Sequence, residues 1–268
     1  MRNKNYPIFF IIAFVVIIGT LTFLRSDIVN LVFGWRKKGL PPEIGYSQSP
    51  TPSKSSGATQ NPPPTTKPSG SINLAVPFMA QAPTGNWELP YQEACEETSA
   101  ILVDGFYKNK TLTTSEAEEA ILKLVTWEKK RFGYYFHTTS EETAIILREY
   151  FGYRKVEVLP VKNSDDIKQQ LFAGRPVIVA FSGRDLKNPY YTAPGPAYHM
   201  LVIKGVTEEG DFITNDVGTK RGHNYIYDDQ VIYQAIHDAP TGGDGWPLAS
   251  EEDYIKSGDK VMIVVYPN

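Results

Sequence analysis

The chain has 268 residues, a formal net charge of −3 and 41% hydrophobic side chains. No basic stripe runs through it to neutralise phosphates, which argues against a nucleic-acid partner. Its single cysteine, Cys95, rules out an internal disulfide and a thiolate cluster for zinc.

The first predicted region is residues 1–40. Pro7 to Leu24 is a run of 18 residues without a charge. Crossing a bilayer takes about 20 apolar residues in a helix, whereas a cleaved signal has an apolar run of roughly 7–15 and a small-residue exit. The exit here is Leu24-Arg25-Ser26-Asp27, so one uncleaved transmembrane anchor is expected. Arg2 and Lys4 precede the run, and Arg25, Arg36, Lys37 and Lys38 follow it. These charges do not by themselves favour an outside domain; the segment that follows is what points to an extracytoplasmic one. Residues 41–71 hold 8 Pro and 11 Ser or Thr, a composition that cannot offset its ordering entropy by burial. They read as a disordered stalk, able at ~3.1 Å per residue to hold a domain up to about 95 Å from the bilayer.

Residues 72–268 are enough for one domain with a real core. A strand-like Ile72–Pro77 opens it. The spacing then predicts a helix from about Ala94 to Phe106, with Cys95, Ser99, Leu102 and Phe106 on one face. Ser115-x-x-Glu118 and Thr139-x-x-Glu142 read as capping boxes of two more helices, the latter stopping at Gly152. A short helix spans Asp165 to Phe172. Predicted strands are Lys155–Pro160, Pro176–Phe181, Tyr198–Val206, Asp211–Asp216, His223–Tyr227 and Lys260–Tyr266. Helices come early and an antiparallel sheet late, an α+β arrangement.

A thiol attacks as thiolate, and a helix N-terminus favours that anion. Cys95 falls near such a terminus, while Glu96 and Glu97 act the other way. A lone cysteine on an apolar face is more often a small buried hydrophobe, so the chemistry rests on its companions. His199 heads a strand, and Asp216 ends the strand predicted to return beside it. If Val206 pairs with Asp211, paired numbers sum to 417 and Asp216 lies diagonally across from His199 on the same face. An even sum would turn Asp216 away and bring Asn215 round instead. Either could orient the imidazole. The backbone N–H of Cys95 and the side chain of Gln81 are candidate oxyanion donors. Tyr190, Tyr191 and Tyr198 flank the Gly195-Pro196 loop and either line a substrate cleft or pack at the sheet edge. His137, His223 and His237 have no thiol or carboxylate at ligand spacing, so no metal is expected.

Four stretches together resemble a known family: Val76-Pro77-Phe78-Met79-Ala80-Gln81, Glu93-Ala94-Cys95-Glu96-Glu97-Thr98-Ser99, Tyr198-His199-Met200-Leu201-Val202-Ile203-Lys204-Gly205 and Asn215-Asp216-Val217-Gly218. They are similar to the peptidase-family-thirty-nine-like group of papain-like cysteine peptidases. The resemblance implies a papain-like fold with Cys95 as nucleophile, His199 as base, Asp216 as orienter and Gln81 as oxyanion donor. Ala94 stands where Gly is common and Val217 where Pro is frequent. The expected protein is a membrane-anchored, monomeric, cofactor-free thiol hydrolase of peptide or cell-envelope amide bonds. The alternatives are an inactive binding module of the same fold and a cell-wall amidase or acyl transferase.

Overall fold

The computed structural model describes residues 39–48, 70–243 and 251–267. The chain divides into Met1–Leu40 and Pro41–Asn268, and the fold is that of the second unit. No described helix is long and apolar enough to cross a membrane; the apolar run at Pro7 to Leu24 lies outside the described residues.

Eight strands form one sheet: β1 (Glu43–Ile44), β2 (Ile72–Leu74), β3 (Lys155–Pro160), β4 (Val177–Ser182), β5 (Tyr198–Val206), β6 (Phe212–Asn215), β7 (Tyr225–Tyr227) and β8 (Val261–Tyr266). The order is β1-β2-β5-β4-β8-β3, with β6 and β7 branching from β5. The predicted strands all appear: β3 and β5 with the expected bounds, β4 shifted by one residue, β2 three residues shorter, and β6, β7 and β8 trimmed by one or two. The sheet is mixed rather than antiparallel, because β1 runs parallel to β2, pairing Glu43 with Asn73 and Ile44 with Leu74.

That pair corrects the expected stalk. Residues 41–48 belong to the folded unit: Asn73 Nδ2 donates to Pro41 O, and the Tyr46 ring packs edge-on against Phe106 and Tyr107. Lys204, wholly buried, holds Glu43 Oε1 at 2.5 Å. The Pro/Ser/Thr-rich residues 49–69, outside the described residues, therefore leave from and return to one sheet edge.

The helices are α1 (Cys95–Lys108), α2 (Thr114–Arg131), α3 (Ser140–Ile145), α4 (Ser164–Phe172), α5 (Asp229–Ala235) and α6 (Glu251–Lys256). Thr113 and Glu116 make the α2 capping box, one half-turn before the expected pair, which fits the same pattern. The α3 box is the expected Thr139 and Glu142. A π turn, Ile146–Tyr150, continues α3 before Gly152. Asn109, left-handed at φ 50°, caps α1 by donating to Gly105 O and Phe106 O.

The face expected of α1, with Cys95, Ser99, Leu102 and Phe106, is buried, and the burial extends further round the helix. Every residue from Cys95 to Val103 is buried, because α1 is packed between the sheet and α2 rather than laid on a surface. The apolar side chains contribute about 1.5–3 kcal/mol each. The same packing carries Glu96, Glu97 and, from α2, Glu128 into the interior.

The β5–β6 register decides which side chain meets His199. The pairs Val206–Phe212 and Gly205–Ile213 sum to 418, whereas Ile203–Thr214 and Val202–Asn215 sum to 417. Lys204 is the extra residue of the intervening β-bulge. Carried on unbroken, the even register would have aimed Asn215 at His199; the bulge slips the ladder by one and brings Asp216 round. Gly205 is obligatory here, since a Cβ would overlap the β2 backbone at Ile72 and Asn73.

Candidate active site

Cys95 opens α1, so its backbone N–H has no partner within the helix and the positive end of the helix lies at the sulfur. Sγ accepts from the backbone N–H of Met200, the residue after His199. It lies 2.9 Å from Glu96 Oε2. Burial first, then the Glu96 carboxylate and its hydrogen bond, push the thiol well above its ordinary value, with the Met200 N–H pulling the other way.

His199 lies in the buried centre of the site at the start of β5. Its Nε2 meets Asp216 Oδ1 at 2.9 Å, and Gly218 N–H donates to the same oxygen at 3.0 Å. The other oxygen, Oδ2, receives Tyr227 Oη at 2.6 Å, Tyr191 Oη at 2.7 Å and Asn188 Nδ2 at 2.8 Å. Burial raises the cost of this charge, but His199 and the two phenols more than offset it, and the carboxyl sits below its ordinary value. Burial and Asp216 push both phenols well up, so they stay donors. Nδ1 is the ring nitrogen left for chemistry. Gly218 is the close approach that permits this packing: a Cβ there would come within 2.9 Å of the His199 ring.

The other predicted residues have different duties. Gln81 lines the cleft, but its Nε2 donates to Tyr91 O at 3.0 Å and Gln92 O at 2.7 Å. Both amide hydrogens are thus committed to the turn before Cys95, leaving none for an oxyanion in this arrangement. Asn215, the reserve orienter, is turned away: its amide donates to Val76 O and Pro77 O at 3.0 and 2.9 Å. Of the three tyrosines, Tyr191 clamps Asp216 and sets its ring edge-on to His199, centroids 5.6 Å apart. Tyr198 is buried, its hydroxyl 3.1 Å from both Thr138 O and Asp238 Oδ1. Tyr190 lies outside the main cleft, its ring under the Arg221 guanidinium at 4.8 Å.

Cys95, Glu96, Gln81 and His199 face one cleft of about 530 Å³, with Trp87 and Arg184 among its walls. Arg184 ties the cleft to α6 through Glu251 and Glu252, at 3.7 and 3.4 Å. Asn188, Tyr227 and the buried role of Glu96 were not anticipated. Tyr227 was accessible in principle, since it shares a face with Asp216 across β6 and β7. Nothing in the sequence marks Asn188, which arrives from a loop.

A family profile described as the Peptidase_C39 like family matches residues 73–239. This is more than half of the chain, and the chain belongs to that family, which suggests papain-like cysteine peptidase activity. The α+β architecture with its mixed sheet is consistent with such a fold. Among solved structures, the chain resembles a candidate C39-like peptidase from Bacillus anthracis at a TM-score of 0.46 and 15% identity, covering 74% of this chain and 99% of that one. Likeness of that degree carries no argument about the reaction. No curated protein matches the chain.

Proposed function

We propose that this chain is a thiol hydrolase of peptide or related amide bonds, with Cys95, His199 and Asp216 as nucleophile, base and orienter. The observation that carries the reading is the Asp216 clamp. Four further donors hold one buried carboxylate on Nε2 of an imidazole that shares a cleft with the only thiol. Asp216 fixes the tautomer with Nε2 protonated, so Nδ1 is free to take the thiol proton. The thiolate attacks the carbonyl, the Cys95 N–H stabilises the oxyanion, and Nδ1–H protonates the leaving amine. Water, deprotonated at Nδ1, then releases the acyl group. Iodoacetamide is expected to alkylate Cys95 much faster than a free cysteine near neutral pH and to abolish turnover of a peptide library, with Cys95→Ser inert. Alkylation no faster than free cysteine sinks the reading.

One observation favours a second reading, a binding module without turnover: the thiol is buried and held neutral beside Glu96. Under that reading Cys95→Ala loses no ligand affinity and the native chain releases no product from peptides or cell-wall fragments.

The location belongs to the same proposal. The run at Pro7 to Leu24 supports a single-pass anchor, and the Pro/Ser/Thr-rich residues that follow it are the ground for placing the hydrolase outside the cytoplasm. A C-terminal topology reporter active only in the cytoplasm overturns that placement.

A further inference from the structure

Glu96 sits where a charged carboxylate works against the chemistry. Its Oε2 is 2.9 Å from Cys95 Sγ, and the residue is 1% exposed. A thiolate formed at that distance from a second anion, out of water, is strongly disfavoured. The same distance suits an O–H donor to S⁻, a charge-assisted bond of the stronger kind.

The surroundings favour the protonated acid. On α1, Glu97 is wholly buried, and Glu128 faces it from α2; neither carboxyl receives a hydrogen from a group outside the cluster. Glu93, in the turn before α1, adds a third acidic neighbour, with His137 Nδ1 at 3.9 Å on its far side. From β5, Tyr198 presents a phenol already engaged with Asp238. Tyr135 faces Glu93 and Glu97, and Glu142 acts on Glu128 from α3. The one guanidinium in the cleft wall, Arg184, is engaged by Glu251 and Glu252. Burial and then Glu97 accordingly raise Glu96 well above the carboxylate range.

We propose that Glu96 is the acid that holds the thiolate: in the competent state its carboxyl carries a proton and donates from Oε2 to Cys95 Sγ. This rests on Cys95 being the nucleophile. The thiol proton passes to His199 Nδ1, the Glu96 O–H turns to the sulfur, and the S–H···O contact becomes O–H···S⁻. No proton leaves the site. When Glu96 ionises, the thiolate loses its donor and gains a repelling neighbour, so the nucleophile switches off as pH rises.

The test is the pH profile of Cys95 alkylation by neutral iodoacetamide in the full-length chain, compared with Glu96→Gln and Glu96→Leu. The native rate is expected to fall about tenfold or more on the alkaline side, before free-thiol ionisation restores it. Glu96→Gln keeps a donor without the titration, so its profile should lack that fall. Glu96→Leu should be slower than Glu96→Gln by about tenfold or more at pH 6. Superimposable native and Gln profiles overturn the proposal, even if the Leu variant does not fold. If the native Cys95 never outpaces a free thiol at any pH, the hydrolase reading itself fails. Fast native alkylation with no Gln effect removes only the role of Glu96.

Discussion

Asp216 shows how one side chain is made to serve another. Its oxygens receive five hydrogen bonds from Gly218, Asn188, Tyr191, Tyr227 and His199, and each donor fixes the plane in which the imidazole must lie. Asp216→Asn removes the charge and, where its NH2 faces His199, lets Nε2 accept instead of donate, so the ring can adopt the wrong tautomer. The expected cost is about 10²–10⁴-fold in turnover, with the fold retained by circular dichroism; a change within threefold would refute the orienting role. At this scale Cys95 and His199 were legible as candidates from chain order and strand alternation, which left Asp216 and Asn215 both open as the orienting partner. Gln81 was legible as a residue near the nucleophile but not in its duty, since its partners are backbone carbonyls and no pattern encodes those. Glu96 was legible as a group that opposes the thiolate, and it does raise the thiol; its burial was not, because that depends on α2 covering it, which local periodicity does not report.

Two elements meet through acids that would rather be neutral. Glu97 on α1 and Glu128 on α2 face each other in the core, and burial leads the causes that raise Glu128 from 4.5 to about 9. Between those values the folded chain holds a proton the unfolded chain has lost, so stability declines as pH rises from about 4.5 towards 9. Glu128→Gln is expected to match the native melting temperature near pH 4.5 and to exceed it by about 5 °C at pH 8. Equal offsets at both pH values would show that the pair does not titrate this way. The other element-scale device is the bulge at Lys204. The strands were legible as alternating runs, but a one-residue slip inside β5 carries no composition signal. That slip is what chose Asp216 over Asn215.

For the whole molecule, the α+β order and nearly every strand could be read from periodicity and turn residues. The N-terminal boundary could not. Residues 41–48 are poor in apolar side chains, and they are ordered by a parallel partner 30 positions away and by a buried cation rather than by their own composition. A chain begun at Gly70 should therefore be less stable than one begun at Gly39. It lacks the β1 pairing, the Tyr46 contacts and the Glu43 carboxylate opposite Lys204. The expected loss is roughly 2–4 kcal/mol, or about 5–10 °C in melting temperature. Equal melting temperatures would show that β1 contributes nothing.

The parallel pairing of β1 with β2 has a consequence for a cut in the backbone. Residues 49–69 join the two strands in the chain, and a cut among them would leave two separate polypeptides. Those two pieces remain bound to each other through the β1–β2 ladder and the Lys204–Glu43 ion pair, so a nicked chain should still migrate as one body until it is denatured.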